Sequence, residues 1–392
     1  MPRFEPFAGL RYSSDLPLDE VISPPYDVID EPERKRLEER NAFNSVRVEL
    51  PQPDGTLDRY AAAQALLDQW RATGVLVRDD APSFYVYRME FADEHGRPRH
   101  TTGVLGALEL SKPGEGDVLP HERTMSKPKD DRLNLLRAAQ ANLSPVWGLS
   151  MAPGLAKLTA VDGPADAEAV DDDGVRHQLW RVSDPEQLSA ISDTVASAPV
   201  VIADGHHRFE TALAYRDERR AANGDTAGDY DFLMAYIVEL VDDELTVEAI
   251  HRLINGLPDD FDVLAALDPF FDRAPVGGLP DLGPALGVVT AEGIWRLEPR
   301  AETTAQAEHD LDSSRLDVAL ETFPAHDLSY QHGRELVVAA VDEGRAQAGV
   351  LLRPATVAQI AETGRTRTRM PEKTTFFYPK LRTGLVFREV TD

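Results

Sequence analysis

The sequence contains no cysteine, and this absence removes several kinds of chemistry at once. Disulfides, zinc fingers, cysteine-bound iron–sulfur clusters and thiol nucleophiles all require that residue. Cations are also scarce relative to anions, because 41 Lys and Arg stand against 68 Asp and Glu, for a formal net charge of −27. A chain of that charge repels a phosphate backbone. We therefore expect no nucleic-acid partner for the chain as a whole.

Long apolar runs are missing as well. No stretch approaches the ~20 apolar residues that a bilayer-spanning helix needs, and the first residues lack the apolar region of a signal peptide. We therefore expect no membrane partner and predict a cytoplasmic protein. The sequence also lacks a P-loop, a Rossmann glycine fingerprint and the protein-kinase signature set. If the protein binds a nucleotide, it does so with a motif other than these three.

The composition supports a folded core, since 42% of the 392 residues are hydrophobic and 28% are charged. Strand-like and helix-like patterns alternate through the first 256 or so residues, which predicts a mixed α/β fold. A stretch rich in Pro, Gly and Asp from Gly256 to about Gly293 indicates a junction into a second unit. We predict a core over 1–256, a C-terminal α/β unit over 257–364, and an apolar tail, 365–392, that docks back on the core.

Individual elements are predicted from apolar periods of 2 and 3.6 residues. The predicted strands cover 46–50, 175–182, 199–203, 232–240 and 349–352, and a hairpin joins 84–91 to 103–110. The predicted helices cover 60–70, 133–141, 206–222, 312–322 and 333–347. The acidic run over 171–174 favours a hairpin turn over a metal site.

The strongest local signal is an apolar strand that runs into Asp204-Gly205-His206-His207-Arg208 and then directly into a helix. A helix start presents free backbone N–H groups to an anion, and the donor fork of Arg208 suits a phosphate group. Asp204 could hold Mg²⁺ or position an incoming hydroxyl, and the two histidines could donate hydrogen bonds or ligate a metal. The alternative is that Asp204 only caps the helix and that the histidines are surface residues.

A second polar cluster covers residues 121–132, between a strand and a helical pattern. Glu122 could act as a general base and Arg132 could bind phosphate. An HExxH zinc site is excluded, because Met125 occupies the fourth place after His121. A solvated loop is the alternative interpretation.

Two further segments carry weaker signals. Tyr26 and Asp27 follow two prolines in a rigid, extended turn, where a structural role and a ligand contact are both open. Near the end, Lys373 precedes the aromatic run 376–378. These aromatic rings could stack on a nucleobase, but packing into a core is favoured.

Taken together, these segments resemble the DUF1015 family. SPPYDV, HERT followed by KPKDDR, ADGHHR and MPEKTTFFYPKLRTGLV occur in this order and span nearly the whole chain. The part that bears ADGHHR is similar to the ParB/sulfiredoxin superfamily, whose members include nucleotide-dependent kinases of free L-serine and CTP-hydrolysing switches. The chain departs from the family pattern at Pro128, where an acidic residue is common.

The resemblance implies a ParB/sulfiredoxin-like core and a kinase that uses ATP or ADP with Mg²⁺ to phosphorylate free serine or a similar small metabolite. It implies catalytic roles for Glu122, Asp204 and His206, with Glu122 as the base and Asp204 also as the metal ligand. It implies phosphate or nucleotide contacts from Gly205, His207, Arg208, Arg132 and Lys373, with His121, Thr124, Tyr26 and Asp27 as further candidates. A nucleotide-binding switch without a small acceptor, and a metal-dependent hydrolase, are the alternatives.

Overall fold

A computed structural model describes residues 1–93, 96–120, 129–283 and 285–391, apart from the side chain of Lys129. The described chain divides into two units, one formed by residues 1–120, 129–246 and 379–391 and the other by residues 247–378. The division lies before the predicted boundary at residue 256, because the strand His251–Asn255 pairs with strands of the second unit.

The first unit mixes strands and helices along its whole length. Its strands are β1 (Phe4–Glu5), β2 (Leu10–Tyr12), β3 (Leu76–Arg78), β4 (Phe84–Ala92), β5 (Pro98–Glu109), β6 (Val118–Pro120), β7 (Ala141–Asn142), β8 (Val146–Ser150), β9 (Ala167–Val170), β10 (Arg176–Val182), β11 (Val200–Asp204) and β12 (Phe232–Glu239). Its helices are α1 (Leu18–Val21), α2 (Glu31–Arg40), α3 (Val46–Glu49), α4 (Arg59–Ala72), α5 (Lys129–Ala139), α6 (Leu155–Leu158), α7 (Pro185–Ala196) and α8 (His206–Ala222). Short 3-10 helices cover Tyr26–Val28, Asp229–Asp231 and Asp242–Glu244.

A nine-stranded sheet of described residues organises this unit. Its order is β6-β11-β8-β12-β5-β4-β10-β9, and β1 pairs with β5. β11 runs parallel to β6 and antiparallel to β8, and its register with β8 shifts between Ile202 and Asp204. The predicted hairpin is confirmed as the antiparallel pair β4–β5, and β9–β10 form the hairpin predicted around the acidic run 171–174.

Two apolar clusters support the elements that carry the candidate site. In one, Phe209, Ala212 and Leu213 of α8 are buried with residues of the sheet and of α7. In the other, residues of α3, α4 and α5 are buried together, among them Leu67 and Leu135. The predicted mixed α/β class is confirmed, and the helix predicted over 206–222 has the predicted limits.

The strand predicted over 46–50 is wrong, because this segment is the helix α3. Its alternating apolar pattern is that of a half-buried strand, but backbone bonds of the helical type run from Glu49 N to Ser45 O at 3.0 Å and from Leu50 N to Val46 O at 2.7 Å. The side chain of Asn44 also accepts from Val46 N at 3.0 Å. Over four residues the period is too short to separate the two structures, and tertiary packing decides.

The second unit is also mixed α/β. Its strands are β13 (Thr246–Ala249, whose first residue groups with the first unit), β14 (His251–Asn255), β15 (Phe271–Val276), β16 (Gly287–Thr290), β17 (Gly293–Pro299), β18 (Asp327–Gln331), β19 (Ala348–Leu351) and β20 (Thr375–Tyr378). Its helices are α9 (Val263–Leu267), α10 (Leu279–Leu282), α11 (Ala301–Gln306), α12 (Asp312–Leu320), α13 (Arg334–Asp342) and α14 (Val357–Thr366).

Six of these strands form an antiparallel sheet in the order β15-β17-β16-β19-β14-β18. The stretch predicted to be a junction, 256–293, therefore contributes β15 and β16 to a sheet and is part of the folded unit. Its short apolar pieces, such as Leu264 and Val288, are buried in the unit's core.

The final segment returns to the first unit. β21 (Arg388–Glu389) pairs with β7, and Phe387 is fully buried in the cluster that contains α4 and α5. Of the tail predicted over 365–392, residues 379–391 group with the first unit and the preceding residues with the second. The aromatic run 376–378 lies in the second unit, where Phe377 is buried.

No helix in the described part of the chain has the length and apolar composition needed to cross a bilayer.

Candidate functional site

The candidate site begins where β11 ends and α8 starts. Gly205 joins the two in the left-handed backbone region, with φ +88°. That conformation favours glycine, and a Cβ at this position would lie 3.0 Å from three atoms of the Arg208 guanidinium group. The glycine therefore permits a sharp strand-to-helix turn and lets Arg208 lie directly against the backbone. The first turn of α8 contains no acidic side chain, so its positive end is not neutralised from within the helix.

Two cations lie on the carboxylate of Asp204. The Nζ of Lys380 is 2.9 Å from Oδ1, and Nη2 of Arg208 is 3.1 Å from Oδ2. Burial acts to raise the pKa of Asp204, but the charges of Lys380 and Arg208 outweigh it and hold that pKa well below its ordinary value. Asp204 is therefore ionised at neutral pH and is shared by the two cations.

Arg208 is the most enclosed cation of the junction, with a side chain that is 10% exposed. It donates a hydrogen bond to the carbonyl of Pro145. Burial acts to lower the pKa of Arg208, and the negative charges of Asp204 and Asp27 reverse that effect and raise it. Arg208 is therefore a permanent, rigidly held positive charge.

Arg132 of α5 lies against Tyr26. Its guanidinium carbon is 4.4 Å from the centroid of the Tyr26 ring, a cation–π distance. Its Nη1 donates to the carbonyl of Glu49 at 2.8 Å, and its Nη2 lies 2.5 Å from a carboxylate oxygen of Asp131. Burial raises the pKa of Tyr26 to about 12, with Arg208 opposing the rise, so the phenol keeps its proton.

Glu49 lies behind these two arginines in the interior of the unit. Its side chain is 4% exposed and 3.5 Å from Arg132, and Ser144 donates a hydrogen bond to its Oε1 at 3.2 Å. Burial raises the pKa of Glu49, although Arg132 and Arg208 oppose the rise. Glu49, Arg132 and Arg208 line a cavity of about 60 Å³, which has room for only a few water molecules.

A larger cavity of about 200 Å³ opens on the other side of Arg132. Its polar lining carries both signs of charge, from Arg34, Arg59, Arg132, Asp30, Glu31 and Asp131. The other residues that line this cavity are partly apolar and include Leu50 and Pro51. These charges are paired with one another, Arg34 with Glu31 at 2.8 Å and Arg59 with Asp131 at 2.6 Å.

The structure places most of the predicted site residues in the first unit. Tyr26, Asp27, Arg132, Asp204 and Arg208 are joined by the contacts and charge interactions above. Gly205 is the turn, and His206 and His207 form the first turn of α8 and are partly buried. His206 also lowers the pKa of Asp204, by less than the two cations do, whereas burial acts in the opposite direction.

The other predicted residues lie in the second unit or outside the described residues. Lys373 belongs to the second unit, where its carbonyl accepts from Arg252 Nη1 at 3.0 Å. Glu122, His121 and Thr124 lie outside the described residues. The roles predicted for them remain predictions.

Sequence reasoning missed Lys380 and Glu49. Lys380 is part of the quoted C-terminal motif, but nothing local indicates that it pairs with Asp204, 176 residues away. Glu49 falls on the segment predicted as a half-buried strand, where a charged residue is expected to face water. The only available signal was its position between buried apolar residues.

The residues present fit Mg²⁺ only as a partner of a bound phosphate. The described part of the chain contains no group of three or more His, Cys, Asp or Glu side chains that could enclose a metal ion. Mg²⁺ commonly uses one or two carboxylates together with phosphate oxygens and water. Asp204 is the carboxylate at the junction that could serve in this way.

These features define an α/β protein whose strand–glycine–helix junction holds Asp204 between two cations. The chain belongs to the family described as Protein of unknown function (DUF1015), whose model matches residues 4–319. The resemblance noted from the motifs is thus confirmed over most of the chain. No curated protein matches the sequence.

Several solved structures are similar to the chain at low identity. A conserved hypothetical protein from Pyrococcus furiosus is 14% identical, with a TM-score of 0.34 over 69% of this chain and 92% of that chain. A free serine kinase in complex with AMP is 12% identical, with a TM-score of 0.36 over 69% and 89% of the two chains. A C-terminally truncated SbnI from Staphylococcus aureus is 9% identical, with a TM-score of 0.39 over 72% and 87%.

Proposed function

We propose that this chain is a phosphotransferase that moves a phosphoryl group from ATP or ADP to the hydroxyl of free serine or a similar small metabolite. The observation that carries the proposal is the junction at Gly205, where Arg208 and Lys380 converge on one carboxylate beside the start of α8. Such a site offers fixed positive charge and backbone N–H groups to a polyphosphate. In a chain of net charge −27, a local basic site of this kind is the place where a phosphate can be held.

Phosphoryl transfer asks mainly for positioning and charge neutralisation. In the proposed step the acceptor hydroxyl oxygen bonds to the terminal phosphorus, and the bond from that phosphorus to the bridging oxygen breaks. The hydroxyl proton passes to a carboxylate, for which we propose Glu122, and the nucleotide leaves with one phosphate fewer. Arg208 neutralises the phosphate oxygens, and Asp204 would hold Mg²⁺, which supplies further charge neutralisation when bound.

The acceptor would lie in the cavity of about 200 Å³ beside Arg132. In this cavity Arg34 pairs with Glu31 and Arg59 pairs with Asp131. An amino acid would enter these pairs, with its ammonium group beside the carboxylates and its carboxylate beside the arginines. Arg132 lines both cavities and contacts Tyr26, so it links the proposed acceptor space to the phosphate side of the site.

The test is a turnover assay with ATP, ADP or CTP, Mg²⁺ and a panel of hydroxyl-bearing amino acids, with products followed by phosphorus NMR and mass spectrometry. We expect a phosphorylated acceptor and turnover that depends on it. Glu122→Gln should lower turnover ~10²-fold or more with nucleotide affinity nearly unchanged. Glu115→Gln is the matched control, because it neutralises an exposed carboxylate a few residues away.

Three experimental outcomes would contradict the proposed reaction or the proposed role of Glu122. Nucleotide binding with slow hydrolysis and no acceptor dependence would replace it by a nucleotide-binding switch. A stoichiometric transition metal in the purified protein, with hydrolytic activity, would favour a metal-dependent hydrolase. Near wild-type turnover by Glu122→Gln would remove Glu122 from the mechanism.

A further inference from the structure

The C-terminal segment of the first unit carries two cations into enclosed positions. Lys380, with an 18% exposed side chain, lies on Asp204, and Arg382, with a 9% exposed side chain, lies on Asp171. A terminal segment is ordinarily polar and frayed unless something ties it down. The two contacts are only two residues apart in the chain, so whatever holds Arg382 also holds Lys380.

Arg382 is held by a buried network. Its Nε donates to Oδ2 of Asp171 at 2.8 Å, and Nε2 of His177 lies 2.9 Å from the same oxygen. Nδ1 of the fully buried His177 is 2.7 Å from the hydroxyl of Tyr87. Burial acts to raise the pKa of Asp171, but His177 and Arg382 hold it well below its usual range. The network therefore contains a paired, ionised carboxylate, which is costly to break.

Backbone bonds hold the same segment beside the turn that follows α1. Ser23 and Thr383 exchange two hydrogen bonds, at 3.0 Å and 2.9 Å. The hydroxyl of Ser45 donates to the carbonyl of Thr383 at 3.0 Å. Ser23 opens the motif that contains Tyr26, so the segment that carries Lys380 is attached to the site from two directions.

Asp204 lies between two cations at the start of a helix. Lys380 and Arg208 each take one of its oxygens, and the start of α8 adds the positive end of a helix. A phosphate group suits this arrangement, because its oxygens can accept from both cations and from the free N–H groups of the helix start. A lysine ammonium is a compact point charge on a flexible stem and can move from a carboxylate to a phosphate oxygen without rebuilding the site.

We propose that Lys380 is a phosphate-binding residue of the nucleotide site and that Asp171, through Arg382, is the residue that positions it. This inference rests on the proposed function, since it names a further ligand of the same site. Before the polyphosphate binds, Asp204 is the counter-ion of Lys380. When the polyphosphate binds, its oxygens take over Lys380 and Arg208 and leave the Asp204 carboxylate available to Mg²⁺.

The first experiment measures the binding of ATP, ADP and inorganic tripolyphosphate to the full chain by calorimetry. We expect Lys380→Met to weaken all three by about 10-fold or more, because it removes one charge-assisted hydrogen bond. Lys380→Arg should restore most of the affinity. Lys35→Met is the matched control, because it removes the same type of side chain from an exposed position in the same unit, where the lysine is 62% exposed.

The second experiment tests positioning. Asp171→Asn should weaken tripolyphosphate binding several-fold, and the double variant with Lys380→Met should bind no more weakly than Lys380→Met alone. A merely structural role for Asp171 would instead lower stability and add its effect on binding to that of Lys380→Met. Urea unfolding of each variant separates the two readouts.

The outcomes separate this inference from the proposed function. If the wild-type chain binds no nucleotide and no tripolyphosphate, the proposed function fails and this inference fails with it. If the wild type binds and Lys380→Met binds equally well, only the role of Lys380 is overturned. If Lys380→Met weakens binding while Asp171→Asn adds independently to that loss, the positioning role of Asp171 is overturned.

Discussion

Replacing Gly205 by alanine tests the geometry of the strand–helix turn directly. Gly205 has φ +88°, and an added Cβ would lie 3.0 Å from the Arg208 guanidinium group. An alanine in the left-handed region costs ~1–2 kcal/mol, and the smaller entropy of the unfolded chain returns ~0.4–1 kcal/mol of this. The backbone alone therefore accounts for a loss of about 1 kcal/mol in the free energy of unfolding.

The contact with Arg208 adds to that loss. To accept the new Cβ, the guanidinium group must move by a few tenths of an ångström, which weakens its hydrogen bonds to Pro145 and to Asp204. A hydrogen bond to a charged group contributes ~1.5–3 kcal/mol. With part of the Asp204 bond lost, we expect Gly205→Ala to destabilise the first unit by ~2–3 kcal/mol in total and to weaken tripolyphosphate binding.

Gly224→Ala is the matched control at the other end of α8. Gly224 also has positive φ, +65°, but no atom lies within 4 Å of the position of its added Cβ. It should show the backbone loss of about 1 kcal/mol and unchanged tripolyphosphate binding. Urea unfolding and calorimetry measure the two quantities. Equal stability losses and equal binding in the two variants would refute the close packing of Arg208 on Gly205.

Three further changes test other parts of the structure. Burial lowers the pKa of His251 to about 4, below the ~6.5 of an unfolded histidine. Because the unfolded state takes up the proton first as the pH falls, the free energy of unfolding should drop by ~3 kcal/mol between pH 6.5 and pH 4. His251→Asn should flatten that fall in urea titrations at several pH values. Arg132→Met leaves the buried Glu49 without its nearest cation and should cost ~3–5 kcal/mol at pH 8. The cost should shrink as the pH falls, because burial already raises the pKa of Glu49 and the loss of Arg132 removes an opposing charge, so that protonation relieves the unpaired carboxylate. A loss that is the same at every pH would contradict this pairing. Leu67→Ala empties a site that is 1% exposed and should cost ~2–5 kcal/mol with tripolyphosphate binding unchanged, whereas a loss below 1 kcal/mol would place Leu67 outside the core.

The sequence predicted a helix or strand correctly where the residues that begin and end it are its immediate neighbours in the chain. The helix α8 has its predicted limits because Gly205 stops the strand and Asn223-Gly224 stops the helix. The β4–β5 hairpin and the turn at 171–174 follow from alternation and turn residues in the same way. The short segment at Val46 failed because four residues cannot distinguish a strand from a helix turn when both bury the same valines.

The candidate site, like the fold, has features that local sequence predicts and features that it does not. The sequence by itself determined the absence of thiol chemistry, the acidic charge, the membership of a family and the strand–glycine–helix turn at the ADGHHR junction, because composition, motif order and turn residues are local or cumulative properties. Only the tertiary structure decided that Lys380 lies on Asp204, that Arg382 lies on Asp171, and that Glu49 is buried beside Arg132. These pairings join residues 176, 211 and 83 positions apart. Contacts over such separations depend on strand order and on the path of the C-terminal segment, which no local pattern of residues specifies.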